Sequence, residues 1–190
     1  MSERRSQQER RDQTTQAVLQ SACRLFGERG YNQTSLEDIA SDCGLTTRPV
    51  YHYFGNKQGL FLAATEHLEQ QLADAIADAT LQPQAAFYQN AWQTFLQHCQ
   101  TPGFRQIVLI DSPIVLGRER WHQCAVVGEV RKLLNPFLPE DEMEQELLMR
   151  LLLAAFAEAA LMLAEAGDVE KLSHISQKVV NRLLAALLEK

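Results

Sequence analysis

The chain has 190 residues, 46% of them apolar, and a formal net charge of −6. That apolar share excludes an intrinsically disordered chain, and four cysteines without a Cys-x-x-Cys pair give neither a zinc site nor a disulfide framework. The charge is uneven. Residues 1–60 hold eight Lys/Arg against seven Asp/Glu, or +1, and residues 61–190 hold ten against seventeen, or −7, so nucleic acid is an expected partner of the N-terminal third alone.

Leu and Ala dominate, and nine Gly and six Pro leave little room for long loops, so the pattern predicts helices throughout and no strand. The start, "MSERRSQQERRDQTTQ", has no apolar core and reads as no secretory leader, so a cytoplasmic location is expected. Residues 1–11, with Arg4, Arg5, Arg10 and Arg11, read as a flexible basic arm. The first helix is expected over Thr14–Arg29, with Val18, Ala22, Leu25 and Phe26 as its apolar stripe and Gly30 as its stop. In "TSLEDIASDCG", Thr34 and Glu37 have capping-box spacing, and Gly44 ends that short helix.

Thr46 or Thr47 caps a third helix to about Phe54, with Pro49 tolerated in its first turn. Gly55 stops it, Asn56 caps a long helix over about Lys57–Thr80, and its inward face is Leu60, Phe61, Ala64, Leu68, Leu72 and Ile76. The remaining helices are expected from Pro83 to Cys99, from "TPGF" to about Asp111, over Trp121–Leu134, over Glu140–Ala166 and over Asp168–Glu189. "DSPIVLGRERW" reads as a corner. The stretch Leu147–Gly167 is the most apolar, but Arg150, Glu158 and Glu165 make it a buried soluble helix, so no membrane partner is expected.

Two short helices joined by a glycine turn form a helix-turn-helix, here over about residues 35–55. Its packing needs a small residue in the first helix, glycine at the turn and an apolar residue in the second. Ala40, Gly44 and Val50 fill those places, with Ile39, Leu45 and Tyr53 completing the small core. Such a second helix enters the major groove of double-stranded DNA with its first residues at the base edges. Thr46, Thr47, Arg48, Tyr51 and His52 are then the exposed set. Lys57 sits at a helix start, where the macrodipole disfavours a cation, and that points to a phosphate partner. Thr34 offers a second backbone contact.

The stretch "AVLQSACRLFGERGYNQTSLEDIASDCGLTTRPVYHYFGNKQGLF" resembles the N-terminal domain of the tetracycline-repressor (TetR) family. The likeness runs through Phe26, Gly30-Tyr31, Thr34-Ser35-Leu36, Ile39-Ala40, Gly44-Leu45, Tyr51, Phe54, Lys57 and Leu60, and covers about residues 12–72. It implies an all-α homodimeric transcription regulator, most often a repressor. Residues 12–72 would be its DNA-binding domain, and residues 73–190 a helical bundle for effector binding and dimerisation. Thr34, Thr47, Tyr51, His52 and Lys57 fall where members contact DNA. Arg48 departs from the small residue common there, and Pro49 follows it. Ile110–Trp121 is similar to a segment found in part of the family.

The broad apolar ribbons of the last two helices suit a homodimer interface, with Leu148, Leu152, Ala155, Phe156, Ala159, Val179, Leu183 and Leu187 as its candidates. Tyr88, Trp92, Phe95, His98, Asp111, Trp121 and Glu158 are candidates to line a pocket for an unknown small-molecule effector. Asp111 and Ser112 also suit a helix cap before Pro113. The cysteines read as small core residues, and no metal or cofactor is expected. Two other readings compete: a protein-interaction bundle that does not bind DNA, and a small-molecule-binding enzyme. Against the enzyme, there is no glycine-rich phosphate loop, Gly-x-Ser-x-Gly turn or His-Glu-x-x-His helix.

Overall fold

The computed structural model describes residues 7–81, 87–165 and 169–188, with the side chains of all of these except 87, 164, 165, 169–172, 184, 187 and 188. Helices account for the regular structure throughout, as expected, and no strand occurs among the described residues.

Helix α1 spans Gln7–Arg29 and buries Val18, Ala22, Leu25 and Phe26 on one stripe. It begins seven residues before the expected Thr14. Gln, Glu and Arg are good helix formers, and no Gly or Pro interrupts them. Arg10 and Arg11, read as part of a flexible arm, therefore stand on a helix. The Arg11 guanidinium lies 5.8 Å from the Tyr53 ring centroid. Arg4 and Arg5 lie outside the described residues. Gly30 then turns the chain with φ of +77°, which costs a glycine little.

Helix α2 spans Leu36–Asp42 and its cap is one residue later than the spacing suggested. Ser35 Oγ accepts from the Asp38 N–H at 3.0 Å, and the Asp38 carboxylate accepts from the Ser35 N–H at 2.9 Å. Thr34 is instead 1% exposed, with its hydroxyl 2.9 Å from the Gly30 carbonyl and 3.2 Å from that of Leu25. It meets the Gly30 carbonyl just past the end of α1 and adds a second donor to the Leu25 carbonyl.

Gly44, at φ +66°, makes the turn, and the Leu45 N–H closes it onto the Ala40 carbonyl at 2.8 Å. Helix α3, Thr47–Phe54, packs Val50 against buried Ile39 and Ala40. Asn56 caps helix α4, Lys57–Thr80, by accepting from the Gly59 N–H at 2.8 Å. Phe26, Tyr31 and Phe61 stack into one aromatic cluster that pins α4 to α1, with centroid separations of 4.9–5.9 Å.

Helix α5 spans Phe87–Cys99, and its expected start at Pro83 lies outside the described residues. Helix α6, Pro102–Phe104, runs straight into a π-helical segment, Arg105–Asp111, and on into α7, Ser112–Val115. In that segment the Ser112 N–H reaches the Ile107 carbonyl, five residues back. No cap separates Asp111 from α7: Asp111 keeps helical backbone angles, and its carboxylate accepts from the Tyr31 N–H at 2.8 Å. Beside it, α1 and α6 meet backbone to backbone. A Cβ added at Gly27 would fall 2.6 Å from the Gly103 Cα.

Gly117, at φ +89°, turns the chain into α8, Arg118–Trp121, and the expected Trp121–Leu134 helix is split at residues 122–124 before α9, Ala125–Leu134. A 3₁₀ turn, Asn135–Phe137, leads to α10, Glu142–Glu165, which is followed by α11, Val169–Leu188. Among the described residues no helix is long and apolar enough to cross a membrane.

Candidate nucleic-acid interface and buried cavity

Thr46, Arg48, Tyr51 and His52 are exposed on or just before α3, Thr47 is half-buried beside them, and Val50 on the opposite face is fully buried. Thr46 has the extended backbone of an N-cap but makes no side-chain cap bond, which leaves its hydroxyl for an outside partner. Helix α3 carries no acidic residue in its first turn, so its N-terminal end keeps the positive end of the dipole. Tyr53 is half-buried against Arg11 and His52.

Thr34, Tyr51 and Lys57 border one polar cleft, together with Asn32, Ser35 and Asn56. The buried Thr34 hydroxyl, committed to carbonyls, cannot serve as the backbone contact expected of it. Lys57 is the first residue of α4, and its Nζ lies 4.2 Å from the centroid of the Tyr31 ring. The cation that the helix dipole disfavours thus has an internal partner in an aromatic face. That contact still leaves ammonium protons for a phosphate.

Asp42 adds a polar tie to the apolar contact between α1 and α2. Its carboxylate accepts from the Ser21 hydroxyl at 2.6 Å and from Arg24. These two partners, Ser21 first, hold the Asp42 carboxyl below the usual carboxylate range, and Ser35 does the same for Asp38. A depressed folded pKa adds stability above the ordinary carboxylate value, and that stability is lost as pH falls through the folded pKa. The melting temperature should therefore fall on acidification below about pH 5, and Asp42→Asn should flatten that acid limb in a pH series of thermal melts.

In the C-terminal part, a cavity of about 60 Å³ lies between α4, α5, α8, α9, α10 and α11. Tyr88, Trp92, Phe95 and Trp121 line it, as expected of them, beside Ile76, Phe156 and Val180. Three other candidates do not. His98 is turned to the Thr94 carbonyl and to Phe104. Asp111 belongs to the seam with Tyr31, and Glu158 is exposed on α10. Among the described residues no charged side chain borders the cavity. The Trp92 indole N–H is buried and has no hydrogen-bond partner among the described residues.

Sequence reasoning missed a buried ion pair between α4 and α8. Glu69, 1% exposed on α4, accepts two hydrogen bonds from Arg120 on α8, at 2.8 and 2.6 Å. Burial pushes the Glu69 carboxyl above its ordinary value, and Arg120 offsets part of that. Glu69 stands among the inward residues of α4, and that acidic residue in an apolar stripe was the available signal. Burial also pushes the thiols of Cys23, Cys99 and Cys124 up to about 11, 12 and 11, which suits inert core residues. No group of three metal-ligating side chains occurs among the described residues.

The candidate dimer residues divide. Val179 and Leu183 are exposed at 49% and 43%, Ala155 is exposed, and Leu148 and Ala159 are half-buried. Leu152 is buried, and Phe156 lines the cavity and packs at a tilt against Trp92, so these two belong to the chain's own core. The side chain of Leu187 lies outside those described. The exposed apolar residues of α10 are instead Met143, Leu147, Leu151 and Met162, and Ile175 joins Val179 and Leu183 on α11.

A glycine-turned helix pair with an uncovered second helix, mounted on an all-helical body, is the architecture of helix-turn-helix proteins. Comparison with known proteins identifies the kind. Residues 18–64 match the family model of bacterial regulatory proteins of the tetR family, and residues 85–187 match that of the tetracyclin repressor-like C-terminal domain. The chain belongs to the TetR family. It is 30% identical over 135 residues to the HTH-type transcriptional regulator AcrR of Shigella flexneri, across 67% of this chain and 56% of that one. It is 26% identical over 135 residues to the HTH-type transcriptional repressor NicS of Pseudomonas putida, across 67% of this chain and 62% of that one. The matched stretch thus spans about three fifths of these curated relatives. A solved TetR-family regulator from Pectobacterium atrosepticum shares the fold with a TM-score of 0.65 at 26% identity, over 98% of this chain and 99% of that one.

Proposed function

We propose that the protein is a homodimeric repressor that binds a palindromic operator and is released from it by a small molecule entering the cavity. The exposed Thr46–Arg48 end of α3, held by the Gly44 turn, carries this reading. Thr47, Arg48, Tyr51 and His52 reach bases or phosphates, and Lys57 closes on the phosphate backbone from the start of α4. The uncovered ribbon of Leu147, Leu151 and Met162 on α10, with Ile175, Val179 and Leu183 on α11, is the surface that a second copy covers. Two copies then set their α3 helices one DNA turn apart, about 34–36 Å. A regulatory protein is favoured over an enzyme by its family; the interaction-bundle reading is opposed by the uncovered α3.

The test is selection of bound duplexes from a random pool, followed by sedimentation of the free protein and the complex. A two-fold symmetric site bound by one dimer is expected; no sequence preference, or a monomer at micromolar concentration, overturns the reading. On the selected site, Lys57→Ala should weaken binding to all sequences and lower the salt slope by about one. Arg48→Ala should instead relax preference at a single base position, at about 1–3 kcal/mol for a bidentate base contact. Mobility shifts across a salt series and across single-base variants measure both. Ligand and operator must also weaken each other by the same factor.

A further inference from the structure

We infer that the cavity takes an uncharged, largely apolar ligand carrying one hydrogen-bond acceptor, such as a carbonyl oxygen, which receives the Trp92 indole N–H. This rests on the proposal that the cavity is the effector site, and it adds the ligand's chemistry. Two observations carry it. First, the lining is apolar and aromatic, with no charged side chain among the described residues, and the acidic and imidazole candidates point elsewhere. An ion placed there would lose its water without gaining a counter-charge, a cost far above that of a neutral group. Second, Trp92 lines the cavity at 4% exposure, and its indole nitrogen is buried without a partner among the described residues. A buried donor left unmet is uncommon in native proteins, and a ligand acceptor removes the deficit.

The size adds a second consequence. About 60 Å³ is well below the roughly 300–1,000 Å³ of pockets for drug-sized molecules. An empty cavity that takes benzene measures about 150 Å³, so even a single ring with a short substituent parts the walls. Those walls include Ile76 of α4, the helix that begins at Lys57, and Val180 of α11. Filling the cavity therefore loads the helix that carries the DNA-facing end and the helix with the uncovered ribbon.

Both tryptophans of the chain, Trp92 and Trp121, line this cavity, so intrinsic fluorescence reports on it directly. The experiment titrates the full chain with four small probes: acetophenone, ethylbenzene, benzoate and benzylammonium, with calorimetry as a second readout. Acetophenone and ethylbenzene should bind, and each ion should bind at least about tenfold more weakly than acetophenone. In Trp92→Phe, which keeps Trp121 as reporter, the acetophenone-to-ethylbenzene affinity ratio should fall about fivefold, the worth of one neutral hydrogen bond. Val130→Phe, which fills the same cavity, should weaken both neutral probes.

The inference is overturned if either ion binds as tightly as acetophenone. It is equally overturned if the ratio is unchanged in Trp92→Phe, if Val130→Phe leaves both affinities intact, or if neither neutral probe binds. Operator release is measured separately by mobility shift. Probes that bind in this pattern and leave operator affinity unmoved would defeat the release mechanism and leave the ligand chemistry standing. Release by an ion alone would do the reverse.

Discussion

Arg120→Ala is expected to destabilise the protein by about 3–5 kcal/mol, because it strands the Glu69 carboxylate in the interior. Glu69 is 1% exposed, and both its oxygens are held by the Arg120 guanidinium. Glu66, at 3.9 Å from Arg120, stands nearby and adds no compensating positive charge. For a chain of this size the loss corresponds to a fall of about 6–20 °C in melting temperature. The sign with pH is fixed as well. Burial already raises the Glu69 pKa, and without Arg120 it rises further. A raised folded pKa takes stability away as pH climbs from the unfolded value toward the folded one. The deficit of Arg120→Ala should thus be largest near neutrality and narrow toward pH 5. Replacing both partners by apolar residues, Glu69→Leu with Arg120→Met, should recover most of the loss, since a buried pair is seldom worth its desolvation. Thermal melts of the unmodified protein and both variants at pH 5 and pH 7.5 check this. A deficit independent of pH would mean that Glu69 reaches water once Arg120 is gone.

The second large effect is expected from Gly59→Ala. A Cβ at this position would fall 2.2 Å from the Phe54 carbonyl oxygen, which belongs to the last turn of α3. Backbone cannot yield as a flexible side-chain tip does, so α3 and α4 must separate. Overpacking of this kind costs about 1–3 kcal/mol or more. The displaced element is the helix bearing Arg48 and Tyr51, so operator affinity should fall together with stability, and more than for any single surface contact. Gly128→Ala is the matched control. It lies in α9 with open space around the added methyl, and should gain up to about 1 kcal/mol from helix propensity alone. Operator binding and melting curves of both variants separate a local steric effect from a general effect of removing glycine.

The N-terminal part was legible because its rules are local. Ala40, Gly44 and Val50 sit at fixed spacings, Gly30 and Gly55 stop helices, and α4 spans Lys57–Thr80 as read from the sequence. The capping box slipped by one residue because both Thr34/Glu37 and Ser35/Asp38 satisfy the same spacing. The end of α1 decides between them, since its carbonyls claim Thr34. The seam and the cavity were less legible for a different reason. Asp111 meets a backbone N–H eighty residues away, through a π-helical segment that no periodicity announces. Helix α10 is apolar nearly all round, so the pattern could not tell inward Leu152 and Phe156 from outward Leu147 and Leu151. The aromatic half of the cavity was found because bulky rings fill space wherever they lie. Its polar half was guessed from neighbours in sequence, and those residues are spent elsewhere.

The contact of Gly27 with Gly103, and of the Tyr31 N–H with Asp111, bears on how such proteins exchange parts. A head of this kind is not a bead on a string. It is keyed to its body by two glycines that touch without side chains and by one carboxylate that meets a main-chain proton. Grafted onto a foreign body, the head would keep the exposed residues of α3 and lose both keys. Compatibility in a chimera is therefore set at this join between α1 and the α6–π segment, and matching the length of α4 alone would leave it unmet.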